Sequence, residues 1–140
     1  MPRIVPYTRA QSGRGRRGET VTTELDLSTA WGLYDRQVRF VTSSALFSLF
    51  LGGVGSGKSH ALTAWIIRRA LANPNGVGAL LGRTSIDLQT VLLPSLFDRL
   101  AECQQNCGVS LVANYDKGNA KLRFVNGCVV YFRPFNRIAK

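Results

Sequence analysis

Apolar residues follow a pattern that changes twice along this chain. Residues 46–51, Leu-Phe-Ser-Leu-Phe-Leu, form a short apolar run of strand type. Residues 58–72 place apolar side chains at helical spacing and end at the turn Asn73-Pro74-Asn75-Gly76. Residues 77–81 read as a second buried strand. From 85 to 104 the spacing is helical again, and Pro94 should kink that helix because it brings no amide hydrogen. Beyond residue 110 the pattern turns β-rich, with strands expected at 110–115, 121–125 and 128–133. Asp116-Lys117-Gly118-Asn119 joins the first two, and Asn126-Gly127, a two-residue hairpin signal, joins the last two. Upstream, Ser28 or Thr29 can cap a helix running through Trp31, Tyr34 and Val38. Residues 1–20 are dominated by proline, glycine, serine and arginine and read as disordered.

Between the first strand and the first long helix lies Gly52-Gly53-Val54-Gly55-Ser56-Gly57-Lys58-Ser59. A glycine, four residues, then Gly-Lys-Ser is the spacing of a phosphate-binding loop. Glycines let successive backbone amides curl around a phosphate, and the helix that follows adds partial positive charge at its N-terminus. In this reading the contacts to nucleotide come from Gly52, Gly53, Val54, Gly55, Ser56, Gly57, Lys58, Ser59 and the adjoining His60. Lys58 reaches the β- and γ-phosphates as the catalytic cation, and the Ser59 hydroxyl ligates Mg²⁺. The cofactors expected are therefore ATP and Mg²⁺. Strand, loop, helix, strand, helix opens a parallel α/β sheet. The expected fold is α/β, an incomplete parallel sheet of phosphate-loop NTPase type with antiparallel β-hairpins at its C-terminal end. Residues 1–24 form a basic tail and 25–140 the N-terminal part of one ATPase domain.

Charge adds a second theme. The net charge of +10 is concentrated at the two ends. Residues 1–18 carry five arginines and no acid, residues 121–140 carry five cations and no acid, and the stretch between them balances. Basic ends favour a polyanion, nucleic acid above all. No run reaches the roughly 18 apolar residues of a membrane span. The N-terminal basic residues precede no apolar stretch, which argues against a secretory signal. Cys103, Cys107 and Cys128 do not pair evenly and read as reduced thiols, and the single histidine, His60, offers no zinc cluster.

Hydrolysis also needs a strand ending in a carboxylate that holds the metal's water shell. Four apolar residues followed by Asp-Glu do not occur. Asp87, Asp98 and Asp116 read as surface or turn carboxylates. With too few strands for a full sheet, the chain is expected to be the N-terminal part of a larger ATPase that binds nucleotide and turns it over little by itself.

With these motifs in order, residues 28–138 resemble the N-terminal ATPase region of phage terminase large subunits, motors that package duplex DNA into capsids. Tyr34-Asp35-Arg36-Gln37 resembles the family's adenine-reading Tyr-x-x-Gln, and residues 52–59 resemble its phosphate loop. Leu80-Leu81-Gly82-Arg83-Thr84 is similar to a strand end carrying Arg-Thr. Residues 124–132 are similar to a β-hairpin with Asn-Gly at its tip. The resemblance implies that Gln37 reads adenine and that double-stranded DNA is a partner. It further implies contacts with the portal and the small terminase subunit, a homo-oligomeric ring, no membrane, and action in the host cytoplasm at the procapsid portal. Arg83 is left between sensing phosphate, contacting DNA and a plain place at the sheet edge. By the resemblance, the family's catalytic carboxylates and transition-state arginine are expected shortly beyond residue 140 and its nuclease domain further still, so none is carried over; Arg133 and Arg137 are weak candidates for an arginine finger. Two alternatives stand beside this reading: a helicase-type ATPase with the same opening, and a non-enzymatic basic nucleic-acid-binding protein whose phosphate loop is vestigial.

Overall fold

The computed structural model describes the backbone of residues 4–8 and 22–26 and all of residues 31–135. Strands β1 (Ile4–Thr8) and β2 (Thr22–Asp26) pair antiparallel as a two-stranded ribbon. β1 thus falls within residues 1–20, which read as disordered, and β2 crosses the expected tail boundary at residue 24; both strands hold β-branched residues. Next come helices α1 (Asp35–Thr42) and α2 (Lys58–Ala72), then β3 (Val77–Gly82). A helical lead-in, residues 85–92, continues into α3 (Leu93–Cys107). Strands β4 (Val112–Asp116), β5 (Lys121–Phe124) and β6 (Val129–Pro134) complete the order.

The second sheet has four strands in the order β3-β6-β5-β4. Only β3 and β6 run parallel, whereas β6–β5 and β5–β4 are antiparallel. The fold is α/β with a mixed sheet: the antiparallel hairpins expected at the C-terminal end are present, and the parallel part among the described residues is the single pair β3–β6. Helices α2 and α3 join the sheet in one hydrophobic cluster. Ile67 and Leu71 of α2 and Leu96 and Leu100 of α3 share it with Leu80, Leu122, Val130 and Phe132 of the sheet. On α3 the buried positions Leu93, Leu96, Leu100 and Cys103 follow helical spacing and form one stripe. On the sheet's other face Leu81, Arg123 and Arg133 are exposed.

The expected strand at 46–51 is absent. These residues are irregular, and Leu46, Phe47, Leu49 and Leu51 are each at least 80% exposed. An apolar run becomes a strand only where a neighbour pairs its backbone, and no described strand lies beside this one. Phe50 alone is half-buried, its ring edge-on to Phe40 at 5.2 Å. The upstream helix also differs. Trp31 is helical, residues 32–34 break the helix with Gly32 at φ +57, and α1 begins at Asp35; Ser28 and Thr29 lie outside the described residues. The helix expected at 85–104 runs to Cys107, and its turns widen to π geometry at Leu88–Leu92, just before Pro94. With no N–H at Pro94, the ladder there lacks one bond, and the wider turn absorbs the defect.

The β5–β6 connection is a three-residue loop rather than a two-residue one. Gly127 N–H donates to Phe124 O at 3.0 Å and Phe124 N–H to Cys128 O at 2.8 Å. Gly127 sits at φ +84, so the glycine supplies the left-handed residue of a bulge. Asn126 is only 3% exposed. Its Nδ2 donates to Ala70 O at 2.9 Å and Leu71 O at 3.2 Å, and its Oδ1 accepts Cys128 N–H at 3.0 Å. The hairpin tip therefore caps the C-terminal end of α2, giving Leu71 O a partner and adding a second donor to Ala70 O, which also accepts Asn73 N–H at 3.3 Å. Asn126→Ala should lower folding stability by about 2–3 kcal/mol in urea unfolding, because it leaves several buried groups unpaired.

Candidate phosphate-loop site

The loop 52–59 runs from the irregular 46–51 segment into α2. Glycine sits where the backbone is left-handed, with φ +76 at both Gly55 and Gly57. Val54 at the tip is fully exposed, and Gly52, Gly53, Gly55 and Ser56 are exposed around it. Lys58 folds over the loop: Nζ lies 2.8 Å from Gly52 O, 2.6 Å from Gly53 O and 3.4 Å from Ser56 Oγ. All three ammonium donors thus face the loop's own oxygens. Ser56 N–H closes the turn onto Gly53 O at 3.3 Å. The first helical bond of α2 is Ala61 N–H to Gly57 O at 2.9 Å. The amides of Lys58, Ser59 and His60 therefore precede the helical ladder and add to the positive end of a fifteen-residue helix.

These features fit a triphosphate chemically. They offer a cation on a flexible stem, first-turn amides and two glycines that leave the backbone uncovered. Ser59, half-buried in the first turn, supplies one oxygen, which suits Mg²⁺ because that ion keeps several waters and takes phosphate oxygens for the rest. Among the described residues no group of three or more His, Cys, Asp or Glu could hold a metal alone.

Gln37 lies against this loop. Although it is on the helix that follows Tyr34, it is 5% exposed. Its Nε2 donates to Gly57 O at 3.2 Å and its Oε1 accepts Tyr34 N–H at 3.0 Å. His60 turns the other way. Its Nε2 lies 3.0 Å from Trp31 O and 3.3 Å from Arg99 Nη1. One nitrogen serves one of these at a time: protonated it donates to Trp31 O, unprotonated it accepts from Arg99. Trp31 Nε1 donates to Arg99 O at 3.0 Å, and Arg99 pairs with Glu102 at 2.6 Å. His60 thereby ties the start of α2 to α3. Sequence spacing carried no signal for this network or for the Gln37–Gly57 bond, since both depend on how helices pack.

Arg83 is exposed at the end of β3. Arg133 stacks over Tyr131 at 5.5 Å, and Arg137 lies outside the described residues. Asp116 is a turn carboxylate. Hydrogen bonds from the Asn119 side chain (2.7 Å) and backbone (3.0 Å) hold its pKa below the ordinary value. Asp98 is exposed and Asp87 half-buried in the lead-in helix. Burial, reinforced by neighbouring Cys107, pushes the Cys103 thiol up to about 12, which makes it a poor nucleophile. Two clefts lie away from the loop. One of about 600 Å³ includes Phe97, Tyr115, Lys117 and Arg133, and one of about 490 Å³ runs between α2 and β3. No helix among the described residues is long and apolar enough to cross a membrane. The chain matches no protein-family model, no curated protein and no solved structure.

Burial, followed by the charge of Arg99, lowers the His60 pKa from 6.5. The unfolded chain takes up this proton near 6.5 and the folded chain only at lower pH. Between the two values the unfolded state binds more protons, so this contribution to stability is present above 6.5 and is lost as pH falls through the folded value. NMR titration of this single histidine should give a midpoint below 6.5. His60→Gln should reduce the loss of urea stability between about pH 7 and 5.

Proposed function

We propose that this chain binds a nucleoside triphosphate with Mg²⁺ through residues 52–59. We infer further that it is the ATP-binding portion of a viral DNA-packaging motor of the terminase large-subunit kind. The observation that carries the first statement is the coincidence of the Gly-Lys-Ser motif with two left-handed glycines and the N-terminus of α2. Support for the second is the order of motifs along the sequence, from Tyr34 and Gln37 through the loop and Arg83 to the Asn126-Gly127 hairpin. In this reading Lys58 exchanges its carbonyl partners for phosphate oxygens and stabilises charge developing at the γ-phosphate. Ser59 would supply one oxygen to Mg²⁺, and the ion would supply positive charge against the phosphates. His60 keeps the helix start in place from behind the loop. Without an apolar strand ending in Asp-Glu, the residues present support binding rather than rapid hydrolysis.

Partners follow from the same proposal: duplex DNA, further copies of the subunit in a ring, the portal and the small subunit, in the host cytoplasm where capsids fill. Lys121 and Arg123 of β5 share one face of the sheet with Tyr131 and Arg133 of β6, and both arginines are exposed there. That surface suits phosphate contacts.

Calorimetric titration tests the nucleotide site. Lys58→Ala should weaken Mg·ATP binding by about tenfold or more, as expected for a charge-assisted contact. Equal affinities would remove the assignment. Duplex DNA binding should weaken steeply with salt. Replacing Arg123 and Arg133 by alanine should flatten the logarithmic slope by about one for each phosphate the arginines had neutralised. An unchanged slope would move the DNA-binding surface elsewhere.

A further inference from the structure

Resting on the nucleotide reading above, we propose that Gln37 is a positioning residue of the phosphate loop. Its carboxamide fixes the peptide between Gly57 and Lys58 so that the Lys58 amide proton faces the bound phosphates.

One carbonyl is held from two sides. Gly57 O accepts two hydrogen bonds, from Ala61 N–H at 2.9 Å and from Gln37 Nε2 at 3.2 Å. Two donors occupy both lone pairs, which prevents the peptide plane from rocking. A trans peptide sets its N–H opposite the preceding C=O. With Gly57 C=O directed into α2, the Lys58 N–H must point out of the helix, toward the hollow of the loop. The helical bond directs this phosphate donor, and a side chain twenty residues upstream holds it there.

Three further observations support this placement. Gln37 is 5% exposed, so its geometry is set by packing and not by water. Its other amide atom is also engaged, with Oε1 accepting Tyr34 N–H at 3.0 Å, and the carboxamide cannot rotate without losing both bonds. A Cβ added at Gly57 would run into Gln37 Nε2, so the glycine that the left-handed φ of +76 already favours is also the residue that makes room for the strut. A side chain with both ends committed to protein backbone is a poor reader of a base edge, and it acts on the phosphates whatever base they carry.

The test compares ligands with and without a base. Wild type and Gln37→Leu, which preserves volume at this buried position, are titrated with the Mg²⁺ complexes of ATP, GTP and tripolyphosphate. The variant should lose about three- to tenfold in affinity for all three alike, the scale of a lost hydrogen bond. A loss confined to ATP, with tripolyphosphate unchanged, would overturn the proposal and make Gln37 a base reader. No loss at all would also overturn it. Wild-type protein that binds none of the three would remove the nucleotide reading itself, a result distinct from either of these.

A second measurement needs no variant. In wild type the Gln37 side-chain amide resonances should shift during a tripolyphosphate titration with the same affinity as the Gly57 and Lys58 backbone amides. Side-chain resonances that stay still while the loop amides move would overturn the proposal. Gly57→Ala made alone and together with Gln37→Leu gives a double-mutant cycle on tripolyphosphate affinity. The two losses should be clearly smaller together than their sum, because the Cβ and Nε2 compete for one space. Additive losses would count against the strut.

Discussion

The placement of α2 governs the rest of this structure, and two buried carboxamides govern α2. Gln37 grips the first carbonyl of the helix through Gly57 O, and Asn126 grips the last ones through Ala70 O and Leu71 O. At the C-terminal end Asn126 gives Leu71 O a partner, and a buried carbonyl left unpaired costs about 1–3 kcal/mol; at the N-terminal end Gln37 adds a second bond to a carbonyl that Ala61 N–H already holds. Carboxamides suit both ends because one group both donates and accepts. Asn126 also accepts Cys128 N–H, and Gln37 also accepts Tyr34 N–H. The hairpin tip and the α1 start are thus connected to opposite ends of one rod. Residues between those ends, Ala61, Ala64, Ile67 and Leu71, are buried in the core. Small side chains near the loop let other elements approach closely there, while larger ones fill the space by the sheet.

Much of this frame could be read from local pattern. The span of α2, the position of β3 and the three late strands follow from spacing and turn residues, because each element decides its own period and its own stop. Asn126-Gly127 announces a hairpin but not its loop length. An Asn-Gly pair suits both a two-residue turn and a three-residue loop with a left-handed glycine, and the burial of Asn126 against α2 selects the second. The run 46–51 misleads for the opposite reason. Its composition is that of a buried strand, yet pairing is a property of two segments, and no described strand borders this one. The result is a row of exposed leucines and phenylalanines directly before the loop.

The candidate site was legible only where its chemistry is local. Gly-Lys-Ser at the start of a helix fixes the glycine dihedrals, the first-turn amides and the lysine within a few residues of one another. The roles of Gln37 and His60 depend on partners twenty to forty residues away in sequence. Motif resemblance directs Gln37 to the base of a nucleotide, whereas the packing of α1 on α2 sets its carboxamide on the loop itself. Adjacency to Ser59 directs His60 to the phosphates, whereas its ring turns back to Trp31 and Arg99, where burial favours the neutral form.

Lys58 shows how such a loop can be both ordered and receptive. Its ammonium directs three donors to Gly52 O, Gly53 O and Ser56 Oγ, all neutral acceptors on an exposed surface. These bonds carry charge on the donor alone and lie open to water, which screens them, whereas a phosphate would add the attraction of an opposite charge to the same ammonium. A phosphate can therefore compete for the same ammonium at modest cost, and the long flexible stem lets the charge follow the ligand rather than force the ligand to fit. The backbone beneath must then be the rigid partner. That division places the stiffness in the Gly57–Lys58 peptide and in the side chain that grips it, and leaves the adaptability to Lys58. A substitution at Lys58 removes a charge, while one at Gln37 loosens the frame that aims the amides beside it.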